Sequence, residues 1–182
     1  PSVDSHPVAI DLCGVNVAKQ LHVGHLRSTI IGDSLARTFE RLGRNVYREN
    51  HLGDWGLPIA MVLERLMSTN VDLNTLSITD LNTAYQDAKL VAKDDRRGAI
   101  TAALISAGPH RIIELEEQNA DATVAQEAAK SALVKLQQGD ERLIAGWQKI
   151  IDCTMKEVYT SLDLLNVKLG PEHNRGESFY RD

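Results

Sequence analysis

The chain has 182 residues, 43% of them hydrophobic and 25% charged, the balance of a folded globular protein, which excludes a low-complexity or disordered segment. Twenty Lys and Arg against 25 Asp and Glu give a net charge of -5, the wrong sign for a module that lives by gripping phosphate backbones. Apolar runs are too short to span a bilayer, Pro1 to Pro7 shows no signal-peptide pattern, and Cys13 and Cys153 sit in no CxxC or Cys/His cluster; the expectation is a cytoplasmic protein with reduced cysteines, no membrane span and no structural zinc.

Val8 to Leu12 predicts a first strand, followed by a glycine-containing loop from Cys13 to Gly24. From His25 to Leu42 the residues Ile31, Leu35 and Phe39 recur every four positions, which predicts an amphipathic helix with that stripe inward. Gly43 stands where a left-handed C-cap belongs, and Arg37, Arg41 and Arg44 suit the negative pole of the helix dipole. Asn45 to Asn50 alternates as a second strand, so the unit is strand, loop, helix, strand, and the sheet should be parallel. Leu57 to Leu165 shows helical spacing only. One helix is expected from about Asp121 to Gln138 with Ala125, Ala128, Ala129, Leu133 and Leu136 inward, and another through Trp147, Ile150, Ile151, Met155, Val158, Leu162 and Leu165. Gly98, Gly108 and Pro109 predict broken helices between Asp94 and Asn119, and the chain turns extended from Asn166.

His22-Val23-Gly24-His25 falls where the first strand hands over to the helix, the place where anionic ligands meet a helix N-terminus in doubly wound sheets. Gly24 allows close backbone approach, and two imidazoles three residues apart can both donate to one phosphate. Donors held there would stabilise charge developing on the non-bridging oxygens of an α-phosphate. Lys19 adds a compact positive charge for the same phosphates. The plain alternative is that both histidines only start the helix, since an isolated HxGH occurs by chance; a metal pair lacks HExxH spacing and a third ligand.

The stretch Val15 to Asp33, VNVAKQLHVGHLRSTIIGD, resembles the extended HIGH motif of arginyl-tRNA synthetases. Asn50-His51-Leu52-Gly53-Asp54-Trp55-Gly56 resembles that family's second signature, and Gly176-Glu177-Ser178-Phe179-Tyr180 a third. Three signatures in the family order cover nearly the whole chain, loosely between Met67 and Gln118. The departures are Cys13-Gly14-Val15-Asn16, where relatives read Ser-x-Pro-Asn, and Pro58-Ile59-Ala60, where many carry Gln-Phe-Gly.

The resemblance implies an α/β fold: the N-terminal half of a class I Rossmann-like nucleotide-binding domain (1–66), a large all-helical insertion (67–165) and a return to the catalytic domain (166–182). It implies an arginine-tRNA ligase that forms arginyl-adenylate from arginine and ATP, with Mg2+ accompanying ATP and no protein-bound metal, and then charges tRNA(Arg). His22, Gly24, His25 and Lys19 would meet the ATP phosphates, His22, His25 and Lys19 as the catalytic groups, and Asp11 and Asn16 would hold arginine. Asp11 also fits a strand-end residue hydrogen-bonded to a turn. Asp54, Glu177 and Ser178 are candidates for the pocket, although a capped turn at the return to the sheet explains the last two nearly as well. No KMSKS equivalent, second half-sheet or anticodon-binding domain is found in these residues, so the isolated chain is expected to be inactive and open to self-association, the full-length enzyme a monomer. A free-standing paralogue that binds nucleotide or a partner without catalysis is the alternative.

Overall fold

β1 (Val8–Asp11) and β2 (Val46–Glu49) pair in parallel, Val8 beside Val46 and Asp11 beside Glu49, with α1 (Val23–Arg41) as the crossover between them. These come from a computed structural model that describes residues 6–181; part of the stretch read as lacking a leader pattern lies outside the described residues. The connection is the βαβ unit expected from the sequence, and α1 stops where expected. Gly43, at φ +78°, donates to the Glu40 carbonyl while Arg44 donates to that of Phe39, a Schellman closure.

Two expectations for α1 need correction. The helix begins at Val23, not His25, because His22 supplies its N-cap. Its buried face is Thr29, Gly32, Asp33 and Ala36, whereas Ile31 and Leu35 are 53% and 47% exposed. The reason is proximity: a Cβ added to Gly32 would lie 2.5 Å from the Leu12 Cβ. Only small side chains fit where the helix crosses the end of β1, so the bulkier aliphatic stripe is rotated away from it.

Asp33 closes this face electrostatically. Its carboxylate, 6% exposed, receives Arg37 Nε at 2.6 Å and the Lys168 N–H at 3.2 Å, with Arg48 Nε 3.6 Å away. Arg48 also pairs with Glu40, whose carboxyl is held below its ordinary range chiefly by that hydrogen bond. A buried arginine on β2 is thereby paired with α1 on two sides.

The helices are α2 (Leu57–Ser68), α3 (Ile78–Val91), α4 (Arg96–Leu104), α5 (Pro109–Gln137) and α6 (Glu141–Leu164). The chain divides into two compact units, Pro1–Gly56 with Gln148–Asp182, and Leu57–Trp147. In the second, α2 is apolar nearly all round and buries Ile59, Ala60, Val62, Leu63 and Leu66 against α3 and α5. Along α5 the residues Leu115, Ala122, Ala129 and Leu136 recur every seven positions and are buried; Ala125, Ala128 and Leu133 are half-buried. Pro109 opens α5 rather than interrupting it, since the first turn needs no N–H from that residue. The region expected to be broken is therefore α4 and one unbroken 29-residue helix. Gln118, Asn119 and Gln126 of α5 bond the backbone of the α3–α4 link at Lys93, Asp95 and Ala92, which satisfies that turn without further structure.

Candidate active site

The HxGH residues cap α1 reciprocally. The Gly24 N–H donates to His22 Nδ1 at 3.1 Å, and the His22 N–H donates to His25 Nδ1 at 3.3 Å; the ring centroids are 4.0 Å apart. A ring nitrogen that accepts carries no proton, so both neutral imidazoles are fixed as the Nε2–H tautomer, and each offers its Nε2–H as a donor. The helix-start reading and the phosphate-donor reading thus use different atoms of the same rings. Burial, helped by the neighbouring His22 ring and the Lys19 ammonium, holds the His25 imidazole below its ordinary 6.5. Lys19 is half-buried and within electrostatic reach of that ring. No acidic residue occupies the first turn of α1, so no side chain of that turn neutralises the positive pole of the helix.

Asp11 and Asn16 lie together against the segment after β2. Asp11, exposed at the carboxyl end of β1, meets His51: Oδ2 is 3.2 Å from Nδ1 and Oδ1 3.4 Å from the His51 N–H. Asn16 forms an isolated parallel bridge with Gly53, through Val17 N–H to the Gly53 carbonyl and Gly53 N–H to that of Val15, both 3.1 Å. Cys13 and Gly14, just before Asn16, both take positive φ, +74° and +65°. For Cys13 this is a strained conformation, and burial pushes its thiol up from its ordinary value.

Asp54, Glu177 and Ser178 form a third group. Asp54 is 4% exposed; it takes the Ser178 N–H at 2.9 Å and the Ser178 hydroxyl at 2.6 Å. Glu177 accepts the Trp55 N–H at 3.3 Å, and the Arg181 guanidinium lies over the Trp55 ring, 5.1 Å from its centre. These residues clasp the second signature to the short 3-10 helix Glu177–Tyr180.

The sequence reading singled out neither Asn50 nor Tyr159. Asn50 has no exposed surface; its Oδ1 accepts the Gly14 N–H at 3.0 Å and its Nδ2 donates to Asn174 Oδ1 at 3.1 Å. Asn174 in turn donates to the Tyr159 hydroxyl at 2.7 Å. The only hint of this chain of amides in the sequence was the place of Asn50 at the head of the second signature. Among the described residues no group of three or more His, Cys, Asp or Glu gathers as a metal site, and no helix is long and apolar enough to cross a membrane.

A family model described as "tRNA synthetases class I (R), catalytic domain" matches residues 2–182. An arginine–tRNA ligase of Yersinia enterocolitica is 37% identical over 181 residues, 98% of this chain and 26% of that protein; one of Yersinia pestis is 36% identical over the same span. The crystal structure of arginyl-tRNA synthetase from Plasmodium falciparum superposes with a TM-score of 0.68 at 29% identity, covering all of this chain and 26% of that one. The Thermus thermophilus arginyl-tRNA synthetase, at 23% identity and a TM-score of 0.61 over 96% of this chain and 25% of its own, shares the fold. The chain spans about a quarter of the length of these relatives. With the family model running from residue 2 to 182 and a strand–HxGH–helix–strand unit at its head, the chain belongs to the class I tRNA synthetases (R) and spans part of their catalytic domain.

Proposed function

We propose that the protein carrying this chain ligates arginine to tRNA(Arg) through an arginyl-adenylate made from arginine and ATP, in the cytoplasm and as a monomer. The observation that carries the reading is the reciprocal His22–His25 cap at the start of α1, which leaves an Nε2–H on each ring at a positive helix pole. Attack of the arginine carboxylate on the α-phosphate builds charge on the non-bridging oxygens. Donors fixed in advance meet that charge with no reorganisation. His22, His25 and Lys19 are the proposed donors; the Gly24 backbone permits close approach of the nucleotide. Mg2+ arrives with ATP, held by phosphate and water oxygens.

Asp11 and Asn16 are the proposed arginine contacts, since a carboxylate accepts the planar guanidinium fork in bidentate fashion. Asp54, Glu177 and Ser178 are the proposed further residues of that pocket. As domain organisation we propose 1–66 as the first half of the nucleotide-binding domain, 67–165 as the helical insertion and 166–182 as the return to the catalytic domain.

The test is arginine-dependent exchange of labelled pyrophosphate into ATP by the protein at its natural length, with and without tRNA. His22→Ala and His25→Ala should each lower the exchange rate roughly a hundredfold, the scale for losing one preorganised donor. Wild-type exchange that is independent of arginine, or variants as fast as wild type, would refute the reading.

A further inference from the structure

The second signature lies alongside the loop that carries the proposed arginine contacts, and residue after residue of it is engaged with that loop. Asn50 holds Gly14, as described. His51 meets Asp11 at two points: its N–H donates to Asp11 Oδ1 at 3.4 Å, and its ring Nδ1 lies 3.2 Å from Asp11 Oδ2. The other ring nitrogen of His51 is 3.5 Å from Glu49 Oε2, so the imidazole stands between the carboxylates that end two paired strands. Gly53 then bonds the main chain on both sides of Asn16. A Cβ built on Gly53 would lie 2.2 Å from Asn16 Oδ1 and 3.1 Å from its Cγ. The missing side chain is what makes room for the Asn16 carboxamide.

We infer that His51 and Gly53 are positioning residues for arginine recognition, His51 fixing the plane of the Asp11 carboxylate and Gly53 leaving the space in which the Asn16 carboxamide sits. The inference rests on the reading that Asp11 and Asn16 receive arginine. A guanidinium rewards a carboxylate only when both oxygens lie in its own plane. The Asp11 side chain is 55% exposed, and without a partner it would turn freely about its last torsion. The N–H on one oxygen and the ring nitrogen beside the other fix the plane, and each oxygen keeps a lone pair for substrate.

At position 53 the atoms that would collide with a methyl group belong mainly to the tip of a side chain, the nearest main-chain atom being Asn16 Cα at 3.6 Å. Gly53→Ala is therefore answered by the Asn16 amide swinging away, while the main chain stays. A structural glycine would behave otherwise, since replacing it would shift backbone and lower stability.

The experiment measures KM for arginine and for ATP separately, by pyrophosphate exchange in the protein at its natural length, in wild type, Asp11→Ala, Asn16→Ala, His51→Ala, His51→Asn and Gly53→Ala. His51→Ala and Gly53→Ala should raise the arginine KM roughly tenfold or more, on the scale that misplaced recognition groups cost, and leave the ATP KM unchanged. His51→Asn, whose amide nitrogen can stand where Nδ1 stood, should recover most of that loss. An unchanged arginine KM in His51→Ala and Gly53→Ala, while Asp11→Ala and Asn16→Ala raise it, overturns the inference and leaves the arginine reading intact. Unchanged arginine KM in Asp11→Ala and Asn16→Ala overturns that reading and the inference with it. Equal losses for both substrates, with no recovery in His51→Asn, would make His51 merely structural and overturn the inference as well.

Discussion

The carboxylate of Asp54 takes both donors of Ser178, the N–H at 2.9 Å and the hydroxyl at 2.6 Å, across 124 positions of sequence. A buried charge with two such donors is satisfied, whereas the same donors without it are not. Asp54→Ala should therefore cost about 2 kcal/mol, the penalty for leaving a part-buried N–H unpaired on top of a lost charge-assisted bond. Ser178→Ala removes the hydroxyl bond alone and should cost about 1 kcal/mol. Urea denaturation of both variants measures this; an Asp54→Ala midpoint equal to wild type would mean that the clasp contributes nothing to stability.

Gly32 meets Leu12 where α1 crosses β1. Alanine favours a helix interior over glycine by about 1 kcal/mol, yet the added Cβ would sit 2.5 Å from the Leu12 Cβ. That atom is next to the backbone and cannot swing aside, so overpacking should win. Gly32→Ala is expected to destabilise by about 1–3 kcal/mol, read as a lower thermal midpoint. A higher midpoint would show that helix and strand separate with little resistance.

The His25 ring gives the site a pH dependence with a definite sign. Burial, with the nearby positive charges, holds its folded value below the ordinary 6.5, so the fold favours the neutral ring. The stabilisation is fully present above pH 6.5 and is lost as the pH falls through the lower folded value. Protonation places a hydrogen on Nδ1, which then can no longer accept the His22 N–H. An NMR titration of the His25 ring should give a midpoint below 6.5, with fraying of the α1 N-terminus over the same range. A midpoint at or above the ordinary value would contradict the burial account.

Much of this was legible in local sequence, because its causes are local. Gly43 marks a left-handed closure by its own backbone freedom, and the strand–helix–strand order follows from a change of hydrophobic period between neighbouring stretches. The His22–His25 pair sits at the helix start for the same kind of reason: its two bonds span two or three residues. Even Pro109, read as an interruption, acts locally, and the error lay in which end of a helix it marks.

What the tertiary structure alone decided depends on partners distant in the chain. Hydrophobic spacing on α1 pointed to Ile31 and Leu35, but the face that is covered is set by how near Leu12 comes, and closeness selects Gly32 and Ala36. Asn50 looks like any polar residue after a strand until Gly14 and Asn174 close on both ends of its amide. The later half of α6 has the same apolar stripe as its start, yet Thr154 receives the Ala18 N–H and the Tyr159 hydroxyl receives the Asn174 amide, which ties that half to the strand-bearing unit. The sequence by itself determined the kinds of element and the place of the HxGH loop, since propensity, capping and period act within a few residues. Which faces are buried and which polar groups hold the loop were decided by tertiary structure, because burial and hydrogen-bond satisfaction are properties of pairs that only folding brings together.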